Sequence, residues 1–209
     1  LNMPTMSGSG ITVSMGAAGD FSATTINSAK TFTLDGSNSA SSNVTQSIIE
    51  ASTDATMSLG SGTGSLSVLT RLSAGGTAVI EGSKGGATMD VFSLTASGAT
   101  ISLSTIGDFS ASTVLTNDGA FVLDGAAATS AQISIGIITA SAAVTISMGA
   151  GSGALAVTGI DTVGAITVDG STYTGTMDLN EISASGISVV TGTRGGFSAQ
   201  DVVSSKNFV

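Results

Sequence analysis

Gly107-Asp-Phe-Ser-Ala111 is a stretch that the chain writes almost three times. Gly19-Asp-Phe-Ser-Ala23 stands 88 residues before it, and Gly196-Phe-Ser-Ala199 sets Phe197 88 residues after Phe109. Six of the seven phenylalanines fall into two such columns, Phe21, Phe109 and Phe197, then Phe32, Phe121 and Phe208. Other stretches keep the offset. Ser47-Ile-Ile-Glu-Ala-Ser52 returns as Gly136-Ile-Ile-Thr-Ala-Ser141 after 89 residues, and Thr88-Met-Asp90 as Thr176-Met-Asp178 after 88. A repeated chain implies a repeated structure, so the period comes before any motif.

The unit of about 88 residues divides again. Phe32-Thr-Leu-Asp-Gly-Ser37 is echoed by Val79-Ile-Glu-Gly-Ser83, Val122-Leu-Asp-Gly125 and Val168-Asp-Gly-Ser171. Acid-free versions lie between them, such as Met57-Ser-Leu-Gly60, Ile101-Ser-Leu103 and Ile146-Ser-Met-Gly149. The smallest unit is thus about 22 residues, with copies starting near Leu1, Asp20, Thr45, Ser65, Met89, Asp108, Ala131, Ala154, Met177 and Gly196. Within a unit the apolar period is two. Ile133, Ile135 and Ile137 alternate with Ser134 and Gly136, and Ile146 and Met148 alternate with Thr145 and Ser147. That is a half-buried strand pattern, and nothing recurs at helical spacing. Short strands at a 22-residue repeat predict an all-β fold, a parallel β-solenoid of about ten coils with two main strands each. A β-sandwich also uses many short strands, but has no reason to repeat at 22 and again at 88. The reading is one domain over residues 1–209, with super-repeats at about 1–88 and 89–176 and a partial one at 177–209.

Composition narrows the function classes. Charged residues make up 9% and the net charge is −9, with Lys30, Arg71, Lys84, Arg194 and Lys206 scattered singly. There is no basic patch to displace counterions, so nucleic acid is not an expected partner. No run of about 20 apolar residues exists, and one tyrosine, Tyr173, cannot furnish the aromatic girdles of a membrane barrel, so no membrane insertion is expected. With no histidine and no cysteine, the usual general base, metal ligand and thiol nucleophile are missing. No Gly-x-Ser-x-Gly, Ser-x-x-Lys, P-loop or Gly-x-Gly-x-x-Gly motif is present. The phenylalanines are expected in the core, which leaves little to stack on a sugar. No enzyme activity and no cofactor are expected.

Thr145-Ile-Ser-Met-Gly-Ala-Gly-Ser-Gly153 and Thr56-Met-Ser-Leu-Gly-Ser-Gly-Thr-Gly64 resemble the repeat arrays of bacterial secreted and surface-layer β-solenoid proteins, including calcium-binding RTX rolls. The RTX nonapeptide Gly-Gly-x-Gly-x-Asp is absent, since Gly75-Gly76, Gly85-Gly86 and Gly195-Gly196 lack the following Gly and Asp. The resemblance therefore implies an extracellular, prokaryotic or viral setting rather than a ligand.

The most regular polar feature is an acid before glycine in alternate coils: Asp35, Glu81, Asp124 and Asp169. Carboxylates are hard ligands, so a Ca²⁺ ladder is one reading. The other is turn chemistry, since Asp-Gly suits a backbone turning to positive φ. Two rungs apart, the carboxylates would be about 9–10 Å from each other, too far to share an ion. Asp20, Asp108, Asp90 and Asp178 read as turn residues too. Outward Thr and Ser rows raise an ice-binding surface as an alternative, but Thr33, Ser58, Ser102 and Ser147 suggest an irregular array. The reading that remains is a structural subunit of a filament, surface layer or adhesin stalk, a homopolymer stacked head to tail. The alternative is a binding module, such as a phage fibre segment or a carbohydrate-binding adhesin. The expected assembly ends are Leu1, Asn2, Met3, Phe208 and Val209. Placed end to end, Phe208-Val209 and Leu1-Asn2 would recreate the Phe-Val-Leu-Asx of a coil interior; in a rival alignment Leu1 and Met3 correspond to Met177 and Leu179.

Overall fold

The computed structural model describes residues 1–39, 43–60, 64–82, 88–103 and 107–206. Long and short strands alternate along them. In chain order they are β1 (Asn2–Gly8), β2 (Ile11–Ser14), β3 (Phe21–Ser28), β4 (Phe32–Asp35), β5 (Asn43–Ala51), β6 (Ala55–Ser58), β7 (Ser65–Ala74), β8 (Thr77–Glu81), β9 (Thr88–Ala96) and β10 (Gly98–Ser102). There follow β11 (Asp108–Thr116), β12 (Phe121–Gly125), β13 (Gln132–Ala140), β14 (Val144–Met148), β15 (Ala154–Thr162), β16 (Ala165–Gly170), β17 (Thr176–Ala184), β18 (Gly186–Thr191) and β19 (Gly196–Ser204).

The ten odd-numbered strands form one parallel sheet in chain order and the nine even-numbered ones form a second. This is a parallel β-solenoid of nine coils plus the long strand of a tenth, with no helix among the described residues. The repeat positions read from the sequence fall within two residues of every long strand's start. Residues one coil apart stand opposite each other, as Phe109 does Ile133 and Leu123 does Ile146. Hydrogen bonding continues through the turns, where Phe121 N donates to Ala143 O at 3.0 Å and Phe32 N to Asp54 O at 2.9 Å. Buried backbone groups thus keep their partners from coil to coil.

Each long strand bends in the middle. In β13, Ile133 and Ile135 are buried and Ser134 exposed, but Gly136 and Ile137 both lie away from the core. Alternation then resumes in the opposite phase, with Ile138 and Ala140 buried and Thr139 exposed. Two consecutive outward residues turn the strand into two limbs, so each coil has three walls. Ile137 breaks the alternation expected for Ile133, Ile135 and Ile137: it is 50% exposed, and Ile138 is 0%. Since both residues are isoleucine, sequence pattern alone could not say which one the bend sends inward. Glycine suits the bend at 136 because a Cβ there would run into the backbone of Ser112 on the coil before.

The interior is built of stacked apolar columns, two of them on the short-strand wall. Phe32, Leu34, Met57, Ile80, Ile101, Phe121, Leu123, Val144 and Ile146 line the short-strand wall, none more than 1% exposed. The expectation of buried phenylalanines fails at one interior position. Phe92 is the one outside the two columns, and it sits at the bend of β9 with 56% of its surface exposed.

Candidate functional site

The second sheet carries the acids singled out from the sequence. Through the register of β2 to β18, one outward column reads Ser14, Asp35, Ser58, Glu81, Ser102, Asp124, Ser147, Asp169 and Val190. Carboxylate and serine alternate from Asp35 to Asp169. The four acids therefore stand two rungs apart, about 9–10 Å at the usual strand spacing. Among the described residues no group of three or more His, Cys, Asp or Glu side chains is placed to hold a metal ion.

The carboxylates make local bonds instead. Asp35 Oδ1 accepts from Ser37 N, Asp124 Oδ1 from Ala126 N and Asp169 Oδ1 from Ser171 N, each at 3.0 Å. These are Asx turns, in which the side chain stands in for a backbone carbonyl. The bonds from Ser171 hold the Asp169 carboxyl below the usual carboxylate range. The expected role of the following glycine needs correction. Among the described residues only Gly19 has positive φ, so Gly36, Gly82, Gly125 and Gly170 are not there for a left-handed turn. They are there for space. A Cβ on Gly36 would come 2.9 Å from Ser58 O, and one on Gly170 would come 2.8 Å from Met177 Cε.

Other acids bridge coils. Asp20 Oδ1 accepts from both Asn43 N and Asn43 Nδ2, and Asn43 Oδ1 accepts from Ser65 Oγ, tying three successive coils. Asp108 Oδ1 accepts from Gln132 N at 2.8 Å. Asp90 accepts from Ser110 Oγ, and Asp178 from Ser198 Oγ. These contacts across the ladder go beyond the turn role read from the sequence.

Beside the acid column runs a second outward one: Thr12, Thr33, Thr56, Val79, Thr100, Val122, Thr145, Thr167 and Ser188. The irregular array expected from the sequence is thus two separate columns. One is β-branched in every coil but the last, and the other is polar in every coil but the last. Thr33 belongs to the first and Ser58, Ser102 and Ser147 to the second.

The terminal coils differ from the rest. Asn2 pairs with Ser22 and Met3 with Ala23, so Leu1 falls in the column of Phe21 at the start of a long strand. Of the two alignments of the N-terminus, the register selects the one that matches Leu1 and Met3 to Met177 and Leu179. Leu1 is 75% exposed. At the other end Phe197 is 38% exposed, although Phe21 and Phe109 in the same column are 2% and 1%. Val202 is 39% exposed, whereas Ile182 beside it is 2%. The proposed assembly residues Phe208 and Val209 lie outside the described residues.

No helix of the described residues is long and apolar enough to cross a membrane. Comparison with protein-family models, with curated proteins and with solved structures finds no match.

Proposed function

We propose that the chain is a structural subunit of an extracellular filament, surface layer or stalk, extended by head-to-tail stacking of coils. The observation that carries this reading is the exposure of core columns at the terminal coils, Phe197 and Val202 at one end and Leu1 at the other. The sheets run in the same direction, with β1 and β2 at one edge and β19 and β18 at the other. An open edge with exposed apolar columns is a template for another strand in the same register. Because the two edges are different surfaces, a contact between them does not close and grows a fibre. We propose no catalytic role, and the extracellular placement rests on the resemblance to surface-layer solenoids.

Electron microscopy of the purified chain tests it. End-to-end rods that lengthen with concentration are expected, and Val202→Asp should stop their growth while leaving a folded rod. A wild-type protein that stays one rod long at high concentration would overturn the reading.

A second reading draws on the Thr/Val column. Hydroxyl and methyl groups repeating at about 4.8 Å along one wall suit an ordered surface such as ice. Freezing hysteresis lost on Thr100→Lys and Thr145→Lys would favour that reading.

A further inference from the structure

Among the described residues, the exposed large apolar side chains away from the terminal coils are Leu69, Phe92, Leu115, Ile137 and Val163. All five lie at the bend of the long strands, on the limb that follows it, or in the turn closing that limb. Among the described residues the other two walls present, beyond Leu1 and Phe197 of the terminal coils, only Val190, in the last short strand. An apolar flank confined to one wall of an otherwise polar rod marks an interaction surface.

The flank has two unlike halves. In β7 the three residues Leu69, Thr70 and Arg71 stand against Phe92 and Ser93 of β9, because Val68 pairs with Val91 and Leu72 with Leu94. This bulge pushes the corner outward and carries Arg71, which pairs with Glu50. Four coils later, in the next super-repeat, Gly159 occupies the position of Arg71. A Cβ at Gly159 would meet nothing nearer than Ile137 Cγ1 at 3.9 Å, so neither crowding nor backbone conformation calls for glycine. Its absent side chain opens a groove of about 440 Å³ lined by Ile137, Gly159, Asp161, Glu181 and Val203. Glu181 and Asp201 face each other on successive strands. Like charges directly opposite are unfavourable, and among the described residues no ion pair answers them as Arg71 answers Glu50.

We infer that this flank is the interface of an antiparallel side-by-side dimer of two copies of the chain. A two-fold axis lying in the interface, along the strands and between β11 and β13, sets β5 to β19 of one copy against β19 to β5 of the other and leaves β1 and β3 overhanging. Strand β7 then faces the partner's β17, which brings Arg71 to Glu181 of the partner subunit, with Asp161 and Asp201 of the partner subunit nearby. Strand β9 faces the partner's β15, so Phe92 lies over Thr158 and the notch at Gly159 of the partner subunit. Ile137 meets Thr113 of the partner subunit across the axis. A parallel pairing would instead set each acidic half against its own copy, and such juxtaposition is disfavoured. The interface is isologous and closes at two copies, whereas end-to-end stacking does not. It is independent of that stacking.

The chain has no cysteine, so introduced thiols report orientation cleanly. Copies carrying Phe92→Cys are mixed with copies carrying Thr158→Cys and oxidised. Both positions are exposed, and far-UV circular dichroism checks the fold of each variant. A disulfide between positions 92 and 158 of different copies is expected, together with a species of doubled width rather than doubled length. Sedimentation equilibrium should show Arg71→Glu weakening the dimer by roughly tenfold or more, and adding Glu181→Arg should restore it. A cross-link between two copies of position 92 alone, no cross-link, or no effect of the charge swap would overturn the inference.

Discussion

Gln46 and Ile135 occupy the same inward position of the long strand, 89 residues apart, one super-repeat from the other. Both are buried, at 0% and 1% exposure. Neither the amide nitrogen nor the amide oxygen of Gln46 has a protein partner. Leaving such groups unpaired costs about 1–3 kcal/mol each. Replacing Gln46 by the residue its own duplicate uses, Gln46→Ile, should raise stability by about 1–2 kcal/mol. Thermal melts decide it, and a lower Tm would mean that the amide is satisfied in solution, for instance by an internal water.

Tyr173 makes a related case. It fills a corner beside Gly175 at 1% exposure, and its hydroxyl has no partner. Tyr173→Phe should be neutral or stabilising, whereas Tyr173→Ala should cost about 3–5 kcal/mol by opening a cavity. Burial pushes the phenol pKa above its ordinary value of 10.0. A raised folded pKa means that the unfolded chain loses its proton first, so stability is held below pH 10 and falls as pH climbs past it. Comparing wild type with Tyr173→Phe between pH 9 and 12 should show a shallower alkaline loss in the variant. Equal slopes would contradict this.

Leu123 and Val122 are neighbours on opposite faces of β12, one 0% exposed and the other facing out. Leu123→Asp places an unpaired charge in the core and should cost more than about 4 kcal/mol, enough to prevent folding. Val122→Thr should be nearly silent. Circular dichroism of the two variants checks the in/out assignment of the short-strand wall. A folded Leu123→Asp would reverse it.

The acid column should behave as turns. EDTA is expected to leave the Tm unchanged, and a fall of about 10 °C would show that a bound cation supports the fold. Asp169→Asn, which can still accept from Ser171 N, should be tolerated better than Asp169→Ala. Because the Asp169 pKa is lowered, its contribution is present above the ordinary carboxylate pKa of 3.8 and is lost as pH falls below it. That acid loss should be absent in the alanine variant.

Two glycines form a matched test of coil packing. A Cβ on Gly153 would collide with the backbone of Ala131 on the preceding coil, while one on Gly159 would make only an ordinary contact with Ile137 Cγ1 at 3.9 Å. Gly153→Ala should lower the Tm substantially. Gly159→Ala should leave the Tm unchanged or raise it slightly, since the stiffer unfolded chain adds about 0.4–1 kcal/mol of stability. Equal effects would mean that the coils do not stack at the stated register.

The coil and its length were legible in the sequence because stacking makes every rung solve the same problem. Phe21 and Phe109 recur at 88 residues because they fill equivalent places in one column. Alternation of Phe121, Leu123 and Gly125 with Val122 and Asp124 likewise specified the short-strand wall. The acids at Asp35, Glu81, Asp124 and Asp169 could be placed two rungs apart from their spacing alone.

The rest depended on the third dimension. Sequence cannot say which of Ile137 and Ile138 turns inward, because both are apolar and only the bend of β13 assigns them. Nor could it separate the Thr column from the Ser/Asp column, since neighbouring outward positions lie two residues apart along the strand but stack across coils. The role of the glycines after the acids is hidden from sequence for the same reason. Their requirement comes from atoms one coil away, such as Ser58 O against Gly36, and not from their own backbone angles. Periodicity is a property of the chain, and it determined the coil. Which surfaces are left open is a property of the stack, so only the tertiary structure showed the one-sided flank of Phe92 and Ile137 and the exposed columns at Phe197 and Val202.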